Sequence, residues 1–588
     1  MRNGTAAKFR RDLTILVILS VVYTTGSWFV SNSYYQLILT LVPIWAAFGV
    51  SWNILSGYAG QLSFGHASFF GIGGYTMTLA LVYWNLTPWL GIPLGMIVGG
   101  IAAVAIGTPT FRLRGHYFAL SMLAYPLAIL YFLQYFGFQE MSLPMHRENP
   151  GAYLEFSDPR YYTLVAVGLL AASVFTCMLV ENSRFGLALL AVRQNERAAE
   201  AAGIDSKTWK MRALIVSGMI AAGAGGLYAC VQLVVTPDSV FGLLVSAQPV
   251  VLTLFGGVAS LWGPVIGAAF LVPLSKGLDA TVGSYLPGIQ GVVYGAAVIA
   301  IILLAPDGLY WTLRDRFFKQ KAPAPIAPPS KPDRLVNASV TAGTALMKVE
   351  GLSKNFGGLR AVSNVSFEIA EGEILGIIGP NGAGKTTLFN LLNGVLPPSS
   401  GTATLGGVSM LGKKVHQVCH MGVGRTFQVV RSFPRLPLID NVMVGAYGAG
   451  GVSDQDAADA AIHALHRTGL TELAGVEAGS LTNKQLRLME LARALAGRPR
   501  LLLLDETLAG LGREECDDIL DVLKRLRDEG MTIGIIEHTM HAMLRIADRF
   551  VVLDHGAVLA SGPPRVVMED RSVIEAYLGK KFLAKLNA

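Results

Sequence analysis

Charge is what this sequence has least of. Only 15% of its 588 residues are Asp, Glu, Lys or Arg, while 52% are hydrophobic. Soluble domains usually carry about 25% charged residues, so this composition argues against a single soluble enzyme. It also excludes a disordered chain. The 47 Lys and Arg exceed the 40 Asp and Glu by only seven, which indicates basic cytoplasmic loops and predicts no nucleic-acid partner.

Cysteine is also scarce. The four cysteines, Cys177, Cys230, Cys419 and Cys516, are scattered and form no C-x-x-C pair. Disulfide frameworks and structural zinc sites need clustered cysteines at short, regular spacings. The sequence therefore supports neither.

Apolar residues are concentrated in the amino-terminal half. Residues 36–135 contain only two charged side chains, Arg112 and Arg114. A membrane-spanning helix needs about 20 apolar residues. Runs of this kind recur at 13–30, 36–55, 67–84, 90–109, 117–136, 162–180, 213–235, 249–273 and 287–305. They predict eight to ten spans, leave the assignment of the Gly-rich region 56–75 open, and argue against buried helices of a large soluble protein.

Basic residues predict the orientation of these spans. Four of them precede the first apolar run. A signal peptide is the alternative interpretation of this segment, but the run has about 18 residues and is longer than the apolar core of a signal peptide. Six Lys or Arg lie between residues 184 and 212, and four more lie between 314 and 321. Loops rich in Lys and Arg stay on the cytoplasmic side, so both segments are expected there.

The composition changes sharply after the last span. Residues 321–332 (KAPAPIAPPSKP) contain five prolines, which favours an extended spacer over the alternative of a peptide ligand for an SH3-like domain. Short β-rich runs then alternate with helical runs, and no run is long enough to span a membrane. The sequence therefore predicts a multi-domain protein: an all-α polytopic membrane domain (1–318), a Pro-rich linker (319–345) and an α/β domain (346–588).

The α/β domain contains a phosphate-binding motif. A buried strand leads into a segment that matches G-x-x-x-x-G-K-[ST], and an apolar helix follows. Its glycines let backbone N–H groups surround phosphates at a helix N-terminus, where Lys385 adds a charge and the Thr386 hydroxyl can bind Mg²⁺. The candidate nucleotide-binding residues here are Gly379, Pro380, Asn381, Gly382, Ala383, Gly384, Lys385, Thr386 and Thr387.

Acidic residues follow a second buried strand. Four leucines, 501–504, precede Asp505 and Glu506, and parallel α/β sheets place ligands at this end of a strand. Asp505 suits a Mg²⁺ partner, and Glu506 suits the base that orients the attacking water. His538 follows another β-rich run, where a histidine is either structural or a contact to the terminal phosphate.

Together these motifs resemble the ATPase domain of ABC transporters, which would make this half an α/β P-loop ABC ATPase domain. The resemblance implies that Phe356 stacks on adenine and that Gln428 senses the terminal phosphate and Mg²⁺. It implies that Glu506 and His538 are catalytic and that Thr386, Gln428 and Asp505 serve the metal. In this family two such domains enclose two ATP molecules, and each site is completed by the signature segment of the partner domain.

The chain departs from the family in that signature segment, which aligns with Leu481, Thr482, Asn483, Lys484 and Gln485. Lys484 replaces a glycine that lets backbone approach phosphate. Thr507 replaces a proline, and Gly512 replaces a polar residue at the dimer interface. One hypothesis is two unequal ATP sites, in which the site borrowing this segment hydrolyses ATP slowly. The alternative is that Lys484 supplies its charge to the phosphate and catalysis proceeds normally.

The amino-terminal half resembles a permease. A polar loop containing Glu200, Ala201 and Gly203 resembles the EAA-type coupling loop of importers, although an Ala-rich loop helix is the simpler alternative. Four segments resemble the permease of the branched-chain amino acid importer family. They are GYAGQLSFGHA (57–67), FRLRGHYF (111–118), SRFG (183–186) and LFGGVASLWGP (254–264).

Polar residues occur inside the first of these segments. Ser56, Gln61, Ser63 and His66 lie in a Gly-rich run, and small residues allow close helix approach or broken helices. Irregular backbone at membrane depth is tolerated when it is buried or lines a wet cavity. These side chains therefore either contact a zwitterionic substrate or hold helices together.

The resemblances imply a fused permease and ATPase subunit of an ABC importer in the bacterial inner membrane. Its expected ligands are ATP and Mg²⁺. Its expected partners are membrane lipid, a periplasmic substrate-binding protein, and a second permease and a second ABC ATPase. These last two are either separate chains or another copy of this chain, and the unusual signature favours a non-identical ATPase. Branched-chain amino acids are the default substrate, with amides, urea and small carboxylates as alternatives. An ABC exporter half-transporter and an ATP-sensing membrane regulator remain alternative functions.

Overall fold

The computed structural model describes residues 2–113, 115–146, 148–282, 285, 288–317 and 344–578. The chain divides into two compact units. The membrane unit consists of Met1–Arg193 and Lys207–Lys321, and the cassette unit consists of Gln194–Ser206 and Ala322–Ala588. Arg114 and most of the predicted linker, residues 319–343, lie outside the described residues.

The described residues of the membrane unit are mainly helical. Two short strands, Met141–Ser142 and Val234–Val235, pair in antiparallel fashion. The described helices in this part are Arg2–Trp28, Ser33–Trp52, the π-helix Asn53–Tyr58, His66–Trp84, Pro88–Thr110, His116–Tyr135, Arg160–Glu181, Arg184–Gln194, Ser206–Gln232, Pro237–Phe241, Leu243–Gly256, Gly263–Val282, Ile289–Leu304 and Leu309–Phe317.

Within the described residues, seven helical segments are long and apolar enough to cross a membrane. They are Ser33–Tyr58, Pro88–Thr110, His116–Tyr135, Arg160–Glu181, Ser206–Gln232, Pro237–Gly256 and Gly263–Val282. The described helices Arg2–Trp28, His66–Trp84 and Ile289–Leu304 lie over the runs predicted at 13–30, 67–84 and 287–305. The total of eight to ten spans stays a prediction.

The single span predicted over 249–273 is wrong. The chain forms two helices there, separated by residues 257–262. Ala259 has a φ of 56°, which a right-handed helix does not accommodate. Asn53 stabilises the break, because its Oδ1 accepts the N–H of Ala259 at 2.8 Å and its Nδ2 donates to the carbonyl of Ser260 at 2.9 Å.

The Gly-rich region contains a break between two helices. A π-helix ends at Tyr58, and residues 60–65 are non-helical before the next helix begins at His66. Small residues then allow close helix packing. A Cβ on Gly73 would clash with the carbonyl of Ala222, and one on Gly225 would clash with the carbonyl of Phe70.

The cassette unit is built around two sheets. The antiparallel sheet contains, in spatial order, Leu359–Ala370, Ala345–Phe356, Ser400–Leu405 and Val408–Ser409. The six-stranded sheet contains, in order, Ala557–Gly562, Arg549–Asp554, Ile374–Ile378, Thr532–Ile536, Leu501–Asp505 and Val423–Arg425. Its neighbouring strands are parallel except at the edge formed by Ala557–Gly562.

Helices complete the cassette unit. Those in the described part of the unit are Glu196–Ala201, Lys385–Leu392, Val415–His420, Leu438–Gly448, Asp454–Arg467, Asn483–Ala496, Arg513–Asp528, Met540–Ile546, Pro564–Glu569 and Arg571–Leu578, with short 3₁₀ turns at Thr471–Leu473 and Ala478–Ser480. The strands Ile374–Ile378, Leu501–Asp505 and Thr532–Ile536 are buried along their whole length. Because they are parallel, their carboxyl ends meet at one edge of the sheet, which is where ligands bind in such folds.

Candidate functional site

The phosphate-binding loop follows the strand Ile374–Ile378. Gly379 and Gly384 have φ values of 150° and 95°, which favour glycine. A Cβ at Gly379 would clash with the carbonyl of Leu553, and one at Gly384 with the carbonyl of Ala361. The loop therefore approaches backbone on both sides and needs glycine at these positions. Asn381 and Gly382 form the exposed tip of the loop, between half-buried Pro380 and buried Ala383, and Lys385, Thr386 and Thr387 begin the next helix.

Lys385 lies inside this loop. It is buried, and its Nζ donates to the carbonyls of Gly379 at 2.7 Å and Pro380 at 2.9 Å. Burial lowers the pKa of Lys385, and the carboxylates of Glu506 and Asp505 oppose that shift. The ammonium group is thus held among backbone oxygens beside two acidic side chains, where an incoming phosphate would find a positive charge.

Asp505 ends the neighbouring buried strand. Its Oδ2 accepts a hydrogen bond from Nη2 of buried Arg425 at 3.3 Å. Burial raises the pKa of Asp505, and Arg425 opposes this. No described residue donates to its Oδ1, which is also buried. A buried carboxylate oxygen in this condition fits a hard cation such as Mg²⁺, and the exposed Thr386 and Gln428 are further oxygen donors.

Glu506 connects the predicted catalytic residues. Its Oε1 lies 2.9 Å from Nε2 of His538, and its Oε2 accepts a hydrogen bond from Nε2 of Gln428 at 2.7 Å. Its backbone has a φ of 47°, which is rare for a residue other than glycine and is typical of strained functional sites. The N–H of Glu506 donates to the carbonyl of Ile536 at 2.9 Å, which fixes this turn. The structure therefore brings three separately predicted residues together.

Glu537 is a site residue that the sequence reasoning did not identify. Its buried carboxylate accepts the N–H of Leu508 at 2.6 Å. Burial raises its pKa to about 7, although the N–H groups of Leu508 and His538 favour the ionised form. Glu537 thus ties the segment that follows Glu506 to the segment that carries His538. A buried acidic residue directly before the histidine was the available signal.

Phe356 ends a strand of the antiparallel sheet. Its side chain is 45% exposed, and Nζ of Lys354 lies 5.3 Å from the ring centroid. Lys354 is held in place because it also donates to the carbonyl of Pro397 at 2.7 Å. An exposed aromatic ring of this kind is a suitable platform for stacking a nucleobase.

The predicted signature segment leads into the helix Asn483–Ala496, which we call the signature helix. Oγ1 of Thr482 accepts the N–H of Gln485 at 3.3 Å, and Oε1 of Gln485 accepts the N–H of Thr482 at 2.9 Å. This reciprocal capping box starts the helix. The ammonium group of Lys484 forms an ion pair with Asp518.

The predicted coupling loop belongs to the cassette unit. It forms the helix Glu196–Ala201, which is followed by Gly203 with a φ of 95°. The carbonyl of Gly203 accepts a hydrogen bond from Nε2 of His420 at 2.9 Å. A Cβ on Gly203 would clash with the carbonyl of Gly448, so the two backbones are in direct contact.

Two further hydrogen bonds hold this loop. Oε1 of Glu200 accepts from Oγ of Ser206 at 2.6 Å, and Oε1 of Gln194 accepts the N–H of Arg435 at 3.0 Å. The side chain of Ala201 is buried. Predicted loop residues therefore pack in defined positions and do not form a free surface helix.

The polar residues predicted in the membrane unit bond mainly to the protein itself. Nδ1 and Nε2 of buried His66 lie 2.9 Å and 2.6 Å from the hydroxyls of Ser63 and Ser217. Oγ of Ser56 donates to the carbonyl of Gln61 at 2.8 Å. Both His66 nitrogens are thus engaged within the unit. This geometry favours helix packing over substrate contact for His66 and Ser56.

Three charged residues of the signature helix were also missed by the sequence reasoning. Arg487, Glu490 and Arg493 recur every three residues along one buried face of the helix. Charged side chains are rarely buried unless they are paired. Their spacing was visible in the sequence, but their partners lie near Gln428, about 60 positions earlier in the chain.

Three families match parts of the chain. Residues 34–304 match the family described as the permease component of the branched-chain amino acid transport system. Residues 362–509 match the ABC transporter family, and residues 557–582 match the branched-chain amino acid ATP-binding cassette transporter family.

Individual relatives resemble the cassette. The high-affinity branched-chain amino acid transport ATP-binding protein BraF of Pseudomonas aeruginosa is 39% identical over 250 residues, which cover 40% of this chain and 98% of BraF. The protein of the same description from Escherichia coli K12, LivG, is 38% identical over 250 residues, with the same coverage. A solved nucleotide-free ATP-binding cassette from an ABC transporter is 28% identical, with a TM-score of 0.38, and covers 40% of this chain and 100% of that one.

Proposed function

Because the chain belongs to the branched-chain amino acid ABC transporter family, we propose that it imports branched-chain amino acids, or small amides and carboxylates related to them. The chain is a fused permease and ATPase, and ATP hydrolysis in this family is coupled to transport. The observation that carries the proposal is that a permease and an ATPase of the same kind of transport system occupy one chain.

The chain supplies one permease and one ATPase, and a family member of this kind assembles with other subunits. We propose a second permease and a second, non-identical ABC ATPase as these subunits, with a periplasmic binding protein that delivers the substrate. The location is the bacterial inner membrane, surrounded by lipid, with the cassette in the cytoplasm. The basic residues between 184 and 212 support this orientation.

In the proposed ATPase site, Lys385 exchanges its two backbone acceptors for phosphate oxygens of ATP. Glu506 accepts a proton from the attacking water. His538 and Gln428 both contact the Glu506 carboxylate and so hold it in position. Phe356 offers its exposed ring to adenine. Closure of the ATPase pair around ATP is transmitted through the coupling loop, and hydrolysis resets the transporter.

The proposed metal is Mg²⁺. Asp505, through its buried Oδ1, and the oxygens of Thr386 and Gln428 would hold it. When bound, the cation would neutralise negative charge on the phosphates. The chain's own part is to orient these oxygens: the ion pair between Arg425 and Asp505 fixes the carboxylate at the end of its strand.

We also propose two unequal ATP sites. The site built from Lys385, Glu506 and His538 of this chain is the competent one. The other site would use the signature segment, in which Lys484 stands where glycine lets backbone approach phosphate. Its ammonium group is engaged by Asp518, which supports a structural position for this side chain and argues against direct use of its charge at the phosphate.

Replacing Lys484 with Gly tests the two-site proposal. We expect ATPase turnover and uptake of the assembled transporter to rise about threefold, because backbone access to the phosphate is restored, a change of roughly 0.6 kcal/mol in activation free energy. The matched control is Lys484→Ala, which removes the ion pair with Asp518 but adds no glycine. Equal rates in the Gly variant and the unmodified chain would show that the two sites do not differ through this residue.

Transport itself is tested by reconstitution. The full chain is placed in proteoliposomes with internal ATP. The proposed partner permease, partner ATPase and binding protein, taken from genes adjacent to that of this chain, are added. We expect ATP-dependent uptake of labelled leucine, isoleucine or valine that requires the binding protein. ATP-driven accumulation of substrate inside inside-out vesicles, without any binding protein, would instead support an exporter. ATP binding without movement of any of these substrates would support a membrane regulator.

A further inference from the structure

The signature helix holds both ends of the segment that carries Gln428. At one end, Oε2 of Glu490 accepts the N–H of Phe427 at 3.2 Å. At the other end, Oε1 of Glu490 accepts the N–H of Arg431 at 3.1 Å. A single carboxylate therefore anchors residues on either side of Gln428.

Two arginines of the same helix complete these anchors. Nη1 of Arg487 donates to the carbonyl of Phe427 at 3.0 Å, and Nη1 of Arg493 donates to the carbonyl of Arg431 at 2.7 Å. Nη2 of Arg493 also donates to Oε1 of Glu490 at 3.2 Å. All three helix side chains are buried. We call Arg487, Glu490 and Arg493 the clamp.

The clamp reaches both sides of the catalytic carboxylate. Only residues 428–430 lie between the two anchors, and Nε2 of Gln428 donates to Oε2 of Glu506 at 2.7 Å. Nη2 of Arg487 donates to the carbonyl of Ala509 at 3.4 Å, on the loop that follows Glu506. A displacement of the signature helix therefore displaces Gln428 and this loop together.

We propose that Glu490 is a positioning residue for Gln428, through which the signature helix sets how the chain's own site contacts the terminal phosphate. This inference rests on the proposed ATPase site, in which Gln428 contacts Glu506, and on the contact between Gln428 and the terminal phosphate that the family resemblance implies. It gives the unusual signature segment a further function. Contacts between the amino end of the signature helix and the partner ATPase would therefore change the positions of Gln428 and Glu506 in this chain. The buried hydrogen bonds of the clamp transmit this change without movement of the sheet.

The test separates positioning from a merely structural ion pair. Full-length chain is titrated with the Mg²⁺ complexes of AMP-PNP and ADP, and its thermal unfolding is followed. For Glu490→Gln we expect the preference for AMP-PNP over ADP to fall about tenfold, with ADP affinity unchanged, because only the contact to the terminal phosphate is displaced. The melting temperature also falls, since Arg493 is left buried without its carboxylate.

The double variant Glu490→Gln/Arg493→Gln removes the unpaired charge. We expect it to recover melting temperature but not the preference for AMP-PNP. Recovery of both would overturn the proposal, as would a normal preference in Glu490→Gln. The matched control is Glu373→Gln, which breaks the Glu373–Arg549 pair, 2.8 Å apart and remote from Gln428, and should lower melting temperature alone.

Gln428→Ala tests the role of Gln428 separately from the positioning role of Glu490. We expect it to lose the preference for AMP-PNP to the same degree as Glu490→Gln. A normal preference in Gln428→Ala would overturn the proposed role of Gln428 and the inference with it. A reduced preference in Gln428→Ala together with a normal one in Glu490→Gln would overturn the inference alone.

Discussion

Replacing Glu506 with Gln is expected to lower ATP hydrolysis by about 10²- to 10⁴-fold, the usual contribution of a general base. Gln has the same shape and keeps hydrogen-bonding atoms toward His538 and Gln428, which now lie 2.9 Å and 2.7 Å from the carboxylate oxygens. It cannot accept the proton of the attacking water at neutral pH. Nucleotide binding should therefore persist while turnover stops, and uptake should stop with it.

Phosphate release and the affinity for radiolabelled ATP are the two measurements that check this result. The matched control is Glu514→Gln, an exposed carboxylate in the first turn of the helix Arg513–Asp528, which should leave both unchanged. Hydrolysis within threefold of the unmodified chain in Glu506→Gln would mean that another group activates the water, and the assignment of Glu506 would fail.

The phosphate end of this site could be predicted because its signals are local. The glycines of the loop lie within six residues of Lys385, and Asp505 and Glu506 are adjacent. Both groups follow strands that are recognisable as apolar runs. Parallel strands then bring their carboxyl ends together without further information. The meeting of Glu506 with His538 follows from the same rule, because their two strands are neighbours.

Long-range partners explain what the sequence reasoning missed. The clamp residues Glu490 and Arg487 have visible helical spacing, but nothing near them in the sequence names Phe427 and Arg431 as their partners. The break within 249–273 depends on Asn53, 206 residues away from Ala259. In both cases the local apolar pattern predicts the helices. The hydrogen-bond partners of buried polar groups are set only when the chain folds.

In the membrane unit, too, the sequence did not identify the partners of buried polar residues. Polar residues in a Gly-rich run predicted either a substrate path or helix packing. The sequence left this open, because Ser217, the second partner of His66, lies 151 residues away in the chain. Once folded, both nitrogens of His66 face serine hydroxyls. Gly73, which lies in this run, allows close helix approach, one of the two roles that its small residues predicted.

Replacing Gly203 with Ala is expected to uncouple the two activities: uptake should fall by at least about tenfold while ATP hydrolysis stays within about threefold. Gly203 has a φ of 95°, and its added Cβ would meet the carbonyl of Gly448. The coupling loop would be pushed off this contact, and the bond from His420 to the Gly203 carbonyl would be strained. The residues that bind nucleotide are untouched, so hydrolysis continues without being transmitted.

Substitutions at two other glycines of the cassette distinguish loss of the contact at Gly203 from the effect of backbone strain alone. Gly451 also has a positive φ, 70°, but open space around its Cβ position, so Gly451→Ala carries strain without a clash and should leave uptake and hydrolysis unchanged. Gly448 ends the helix Leu438–Gly448, and a Cβ there would clash with the carbonyl of Ala202. Gly448→Ala should therefore reproduce the uncoupling from the opposite side of the contact. If Gly203→Ala and Gly448→Ala both transport normally at full hydrolysis rate, this backbone contact does not carry the signal, because two independent clashes would have displaced the loop without consequence.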